Sequence, residues 1–305
     1  MRVFVTGASG HLASAVIPDL LGAGHQVTGL ARSDSAAAAV ALLGAEVRRG
    51  DLDDLDGLRE AAAAADGVIH LAFKHEAMRT GGFAGAVEAD RLAVEALGAA
   101  LAGSDKPLVI ASGTLMLTLG GVTGRAGTEA DVVPGGPRVD TENAVIALAG
   151  QGVRSSVVRL PPLVHSDLDH HGFTPALIGF ARAAGYSGYP GDGANRWPAS
   201  HTLDAARVFR LALEHAPAGT RLHAVGDEGV QLREIAEAIG RNLDLPAKSV
   251  PAEQVPEYFQ FLAMFIGLDN PTSGARTREL LGWEPAHPGL IADLDAGHYF
   301  ASQAD

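Results

Sequence analysis

Val3-Phe4-Val5-Thr6-Gly7-Ala8-Ser9-Gly10-His11-Leu12-Ala13 opens the chain, and its reading decides the fold. The apolar run Val3–Val5 has the composition of a short strand. Gly7 permits a turn that a Cβ would obstruct, and Gly10 lets the backbone approach a pyrophosphate. Ala13 is small enough for a helix to pack closely on the strand. Val16, Ile17 and Leu20 then recur at helical spacing, with Pro18 inside the same helix. A strand that turns through glycines into a helix offers free N–H groups and a partial positive charge, an arrangement suited to phosphate. The contacting set expected here is Gly7, Ser9, Gly10, His11 and Leu12.

Outward from that turn, short apolar runs alternate with helical stretches. Val27–Leu30, Val47–Arg49, Val68–Leu71, Leu108–Ala111 and Val157–Leu160 read as five further strands. The helix starting near Gly82 carries an apolar stripe of Phe83, Val87, Val94, Leu97 and Leu101. This rhythm implies a parallel sheet covered on both faces, with a ligand crevice at the carboxyl ends of its strands. The fold class is therefore α/β, a doubly wound parallel sheet (Rossmann fold) with a smaller, mostly helical C-terminal substrate lobe. Residues 1–160 form the dinucleotide-binding part, to which 199–226 return; 161–198 and 227–305 build the lobe. Within the lobe, helices are expected near Pro175–Ala184, at Leu232–Asn242 and, rich in aromatics, around Pro256–Ile266.

Bulk properties narrow the function. The 305 residues carry a formal net charge of −13, which argues against a nucleic-acid partner engaged through a broad basic face. There is no cysteine, which removes disulfides, thiolate nucleophiles and cysteine-held zinc. The apolar stretch Phe259 to Leu268 is too short to span a membrane, and the expected setting is cytoplasmic.

At the end of the second strand, an acidic residue would hold the adenosine ribose of NAD. Leu30-Ala31-Arg32-Ser33 stands there instead. Arg32 can meet a 2′-phosphate through two bonds and Ser33 can donate another, so NADP is expected before NAD.

These residues resemble a family. Thr6-Gly-Ala-Ser-Gly-His-Leu is similar to the Thr-Gly-x-x-Gly-x-x-Gly of extended short-chain dehydrogenases/reductases, the NAD-dependent epimerase/dehydratase group. Gly50-Asp51-Leu52 resembles its adenine-contacting Asp after the third strand, and Asp66-Gly-Val-Ile-His-Leu-Ala72 its fourth strand. Arg159-Leu-Pro-Pro-Leu-Val-His165 looks like its turn after the sixth strand. Gly191 to Asp204 and Leu281-Gly-Trp-Glu-Pro285 are similar to its late motifs. The resemblance covers essentially the whole chain. It implies cofactor contacts from Asp51, Leu52, Leu71, Ala72, Phe73, Ser112, Pro161 and Leu163, and leaves open a homodimer through the helices after the third and fourth strands.

The catalytic positions depart from that family. It places Ser or Thr after the fifth strand and Tyr-x-x-x-Lys on the next helix. Here Gly113 stands for the Ser, flanked by Ser112 and Thr114; Arg138 stands for the Tyr and Glu142 for the Lys. Arg stays protonated and is a poor general acid. Arg138 and Glu142, four apart on an expected helix, read most simply as a surface pair. Ser112 or Thr114 is expected to bind the substrate oxygen, and Lys74, His75 and His165 are the candidate proton donors. His170 and His171, with Asp167 and Asp169, make a polar run without a recognised metal-binding spacing, so no metal is expected. Tyr186, Tyr189, Arg196 and Trp197 suit either a pocket wall or lobe packing. Hydride transfer between NADPH and a small-molecule carbonyl, alcohol or imine is the expected activity. A dinucleotide sensor without turnover and an epimerase or dehydratase are the alternatives.

Overall fold

A computed structural model describes residues 1–74 and 82–301. Strand β1 (Arg2–Thr6) leads through the glycine turn into helix α1 (Ala13–Gly22), which continues through Pro18. There follow β2 (Gln26–Ala31), α2 (Asp34–Leu42), β3 (Glu46–Arg49), α3 (Leu55–Ala64), β4 (Gly67–His70), α4 (Phe83–Leu101) and β5 (Pro107–Gly113). A short α5 (Leu115–Leu119) and α6 (Val139–Ala147) precede β6 (Arg154–Leu160). The remaining elements are β7 (Leu163–His165), α7 (Phe173–Ala184), β8 (Ser187–Pro190), β9 (Arg196–His201), α8 (Thr202–His215) and β10 (Thr220–His223), then β11 (Asp227–Gln231), α9 (Leu232–Leu243), β12 (Ala247–Val250), α10 (Val255–Phe259), α11 (Ala275–Leu281) and α12 (Leu290–Asp295).

Among the described residues the main sheet has seven strands in the order β10-β6-β5-β4-β1-β2-β3, all parallel. Because side chains alternate along a strand, β1 feeds both faces. Val3 and Val5 join a core with Val16, Ile17 and Leu20 of α1 and Phe209 and Leu213 of α8. Phe4 packs on the other face with Leu58, Val68, Leu97, Leu108 and Val145. Every residue of β4 is buried, as a strand covered on both sides requires.

Pro161-Pro162 ends β6, since proline has no N–H for the ladder. The chain then leaves for a small sheet of order β11-β9-β7, and β12 pairs with β8. Around these a third core gathers Leu177, Trp197, Ile235, Ile239, Phe259, Leu262 and Ile266. The aromatic helix expected around Pro256–Ile266 is instead broken. Gln260 adopts φ 49° at the end of α10 and a 3-10 turn follows over Gln260–Leu262. On either side of the break Phe259, Leu262 and Ile266 enter one core, while Phe261 is left exposed. No helix among the described residues is long and apolar enough to cross a membrane.

Candidate functional site

The carboxyl ends of the parallel strands share one edge of the sheet, where the glycine turn after β1 lies against Leu71 and Ala72 beyond β4. Gly7 sits at φ +66°, and a Cβ there would lie 2.7 Å from the Ala72 nitrogen. The turn is closed by Gly10 N–H donating to the Gly7 carbonyl at 2.9 Å. The N–H groups of His11 and Leu12 find no acceptor among the described residues, as expected of a helix N-terminus that can take an anion. A buried relay steadies the turn from beneath: Thr6 Oγ1 lies 2.8 Å from His70 Nδ1, and His70 Nε2 lies 3.2 Å from Asp90 Oδ1. The residues present therefore fit a dinucleotide pyrophosphate. The His11 side chain turns away from the crevice. Its Nε2 lies 2.9 Å from Thr202 Oγ1, and burial, then the neighbouring imidazoles of His170, His165 and His171, pull its pKa down to about 4. Only the His11 backbone is left to face a phosphate.

Beyond the second strand lies a cleft of about 530 Å³ lined by Ala31, Arg32, Ser33, Asp34, Arg49, Gly50 and Asp51. Ser33 caps α2, its Oγ accepting from the Ala36 N–H at 3.2 Å. Arg49 pairs with Asp34 across the cleft. Sequence reading missed Arg49. The parallel register that sets it opposite Ala31 is the only signal that could have found it, and it needs the sheet. Leu52, buried, contributes to the core beside Asp51.

At the catalytic positions the structure corrects the surface pair. Glu142 is buried at 2 % exposure and does not pair with Arg138. Its carboxylate accepts from Ser112 Oγ at 3.0 Å, Arg159 Nε at 3.1 Å and Arg221 Nε at 2.8 Å, with a second bond from Arg159. Burial pushes its pKa up, but these partners outweigh burial and leave the carboxyl below its usual range. The same cluster holds His223, whose Nδ1 lies 2.8 Å from the Ser273 carbonyl and Nε2 3.3 Å from Arg159. Glu142 thus sits in a closed, buried cluster, one carboxylate shared by two guanidiniums. Arg138 begins α6 at φ 64°, a strained conformation for a residue with a Cβ. Its guanidinium lies over the Phe73 ring, 4.0 Å from the centroid, and donates to the Ala111 carbonyl at 3.0 Å.

The other candidates separate. The Thr114 hydroxyl is buried and donates to Asn270 Oδ1 at 2.9 Å, so both hydroxyls beside Gly113 are committed to protein partners. Lys74 is paired with Asp53 at 2.7 Å. His75 lies outside the described residues. His165 is fully buried, with Nδ1 2.8 Å from Asp293 Oδ2, and has no surface through which to reach a substrate. Leu163 is likewise in the lobe core, leaving its backbone, with buried Pro161 and the half-buried Leu71, Ala72 and Phe73, around the crevice. Trp197 is core, Tyr186 and Tyr189 pack against it, and Arg196 pairs with Asp269 at 2.8 Å.

The model of the NAD-dependent epimerase/dehydratase family matches residues 3–94. Over the full length, the chain is similar to the uncharacterized protein C2A9.02 of Schizosaccharomyces pombe, 44% identical and covering 98% of this chain and 100% of that one. It is also similar to a 4-hydroxy-2-methyl-3-oxo-4-farnesyl-3,4-dihydroquinoline-1-oxide ketoreductase of Stigmatella aurantiaca, at 28% identity over 76% of this chain and 70% of that one. Among solved structures, the dTDP-glucose 4,6-dehydratase DesIV of Streptomyces venezuelae, with NAD bound, superposes with a TM-score of 0.77 at 20% identity, covering 99% of this chain and 98% of that one.

Proposed function

The chain belongs to the NAD-dependent epimerase/dehydratase family, and on that footing we propose an oxidoreductase that binds NADP(H) ahead of NAD(H) and exchanges hydride with a small-molecule carbonyl, alcohol or imine. One observation carries the cofactor preference. Two guanidinium-bearing residues, Arg32 and Arg49, line a single cleft with Ser33 at the second βα turn, where an acid would serve NAD. A 2′-phosphate there meets two forks and a hydroxyl. Gly7, Ser9, Gly10 and the backbones of His11 and Leu12 take the pyrophosphate. Asp51 and Leu52 meet the adenine, and Leu71, Ala72, Phe73, Pro161 and Leu163 bound the nicotinamide end. The dinucleotide supplies the hydride; the chain's residues bind it, orient it and exclude water. The ketoreductase likeness supports a carbonyl as the reacting group. With Ser112 and Thr114 committed, the proton comes from solvent or from His75.

A second reading, a dinucleotide-binding protein without turnover, is favoured by those same commitments and by the missing Tyr and Lys. A homodimer through α3 and α4 belongs to either reading. The test is titration with NADPH and NADH, followed by absorbance of the bound reduced cofactor as ketones, aldehydes and imines are added. Tight NADPH binding with oxidation by a panel member supports the oxidoreductase. Tight binding with no oxidation across the panel moves the assignment to the sensor, and equal affinity for NADH removes the NADP preference.

A further inference from the structure

We infer that Arg138 is an anion-binding site for the substrate, and that the substrate is a small carboxylate whose reacting carbonyl lies next to its carboxyl group. This rests on the oxidoreductase reading for the word substrate, though not for the site itself. By its contacts with Phe73 and with the Ala111 carbonyl, the guanidinium bridges the carboxyl ends of β4 and β5. That edge is where a doubly wound sheet presents its ligand. By the resemblance to the family, Arg138 also stands opposite the Tyr that serves the substrate oxygen.

Arg138 is half-buried, and burial lowers its pKa, the signature of a cation short of solvent. Asp90 and Glu142 are the acids whose charge favours the cation from nearby, and both are used elsewhere. Asp90 pairs with His70 at 3.2 Å. Glu142 is bonded by Arg159 and Arg221. Among the described residues no carboxylate pairs with Arg138, and the one hydrogen bond of its guanidinium goes to a backbone carbonyl. A desolvated cation without an ion partner is costly, and a bound anion relieves that cost.

At φ 64° and ψ −30° the backbone holds a conformation that a residue with a Cβ rarely adopts, and the guanidinium carbon lies 4.0 Å from the Phe73 ring centroid. With one N–H on the Ala111 carbonyl, the remaining N–H groups of the planar guanidinium can meet two coplanar oxygens. A carboxylate, or a carboxylate oxygen with the adjacent keto oxygen, offers that geometry. A guanidinium stays protonated, so Arg138 binds and orients and does not supply the proton.

Oxalate is the probe. It is titrated into the purified protein by calorimetry, with and without saturating NADPH, alongside neutral oxamide. The expected result is oxalate binding that weakens at least tenfold in Arg138→Met and is partly kept in Arg138→Lys, with oxamide silent throughout. NADPH affinity stays within twofold in both variants, and their melting temperatures report that they fold. Absence of oxalate binding in the wild type, or equal binding by Arg138→Met, overturns the site. In the turnover arm, 2-oxo acids are expected to oxidise NADPH faster than their methyl esters, a preference lost in Arg138→Met. Equal rates for acids and esters overturn the substrate class. If NADPH itself fails to bind, the oxidoreductase reading fails, and oxalate still decides the fate of the anion site.

Discussion

Replacing Glu142 with Gln tests the buried charge cluster most directly. The carboxylate takes bonds from Ser112, Arg159 and Arg221 and is the shared counter-charge of both guanidiniums. Gln keeps the shape but removes the charge, and its amide directs N–H groups at donors. Breaking a buried ion pair from one side costs about 3–5 kcal/mol, because the remaining charge is left uncompensated. With 305 residues the unfolding entropy is about 0.6 kcal/mol/K. The melting temperature should therefore fall by about 5–8 °C, read by far-ultraviolet circular dichroism at neutral pH. The sign of the pH dependence follows from the carboxyl being held below its usual 4.5. Its contribution is fully present above the unfolded pKa and is lost as pH falls through the folded one. The gap between wild type and Glu142→Gln should therefore narrow on acidification. Arg138→Ala, which loses one carbonyl bond and a ring contact, should cost about 1–2 kcal/mol. A Glu142→Gln protein within about 1 kcal/mol of wild type, or a gap unchanged at acid pH, would refute the reasoning.

Arg49→Ala and Arg32→Ala should each weaken NADPH binding about tenfold or more, the loss of one charge-assisted contact, and leave NADH nearly unchanged, as fluorescence titration would show. Gly7→Ala places a Cβ 2.7 Å from the Ala72 nitrogen at φ +66°, so it should abolish dinucleotide binding and lower stability, read in the same titration and by urea unfolding. Burial holds the His223 pKa at about 4, against an ordinary 6.5. Its neutral form supports the fold fully above pH 6.5 and that support is lost as pH falls through about 4. His223→Gln should therefore flatten the stability–pH slope between those values, and an unchanged slope would remove His223 from the cluster.

Much of the fold is legible in local pattern. Apolar runs of strand length, helical stripes between them and a glycine turn at the first junction are short-range features, and six strands of the seven-stranded sheet follow the rhythm they set; β10 was not read as a strand. Arg32 and Ser33 were legible for the same reason, since the end of a strand fixes where its next residues project. The break at Gln260 was not, because the apolar spacing of Phe259, Leu262 and Ile266 is that of an unbroken helix and no local pattern records the positive φ of Gln260.

The active-site positions divide along the same line. The sequence by itself determined that the chain carries no Tyr-x-x-x-Lys, and the resemblance set Arg138 and Glu142 opposite that motif. Helical spacing then suggested that the two face each other on the surface. Tertiary structure decided otherwise, drawing Glu142 to Arg159 on β6 and Arg221 on β10, and Arg138 to Phe73 and Ala111. A buried carboxylate must find its cations wherever the packed strands bring them. That pairing is set by which strands are neighbours in the sheet, and no local spacing records it.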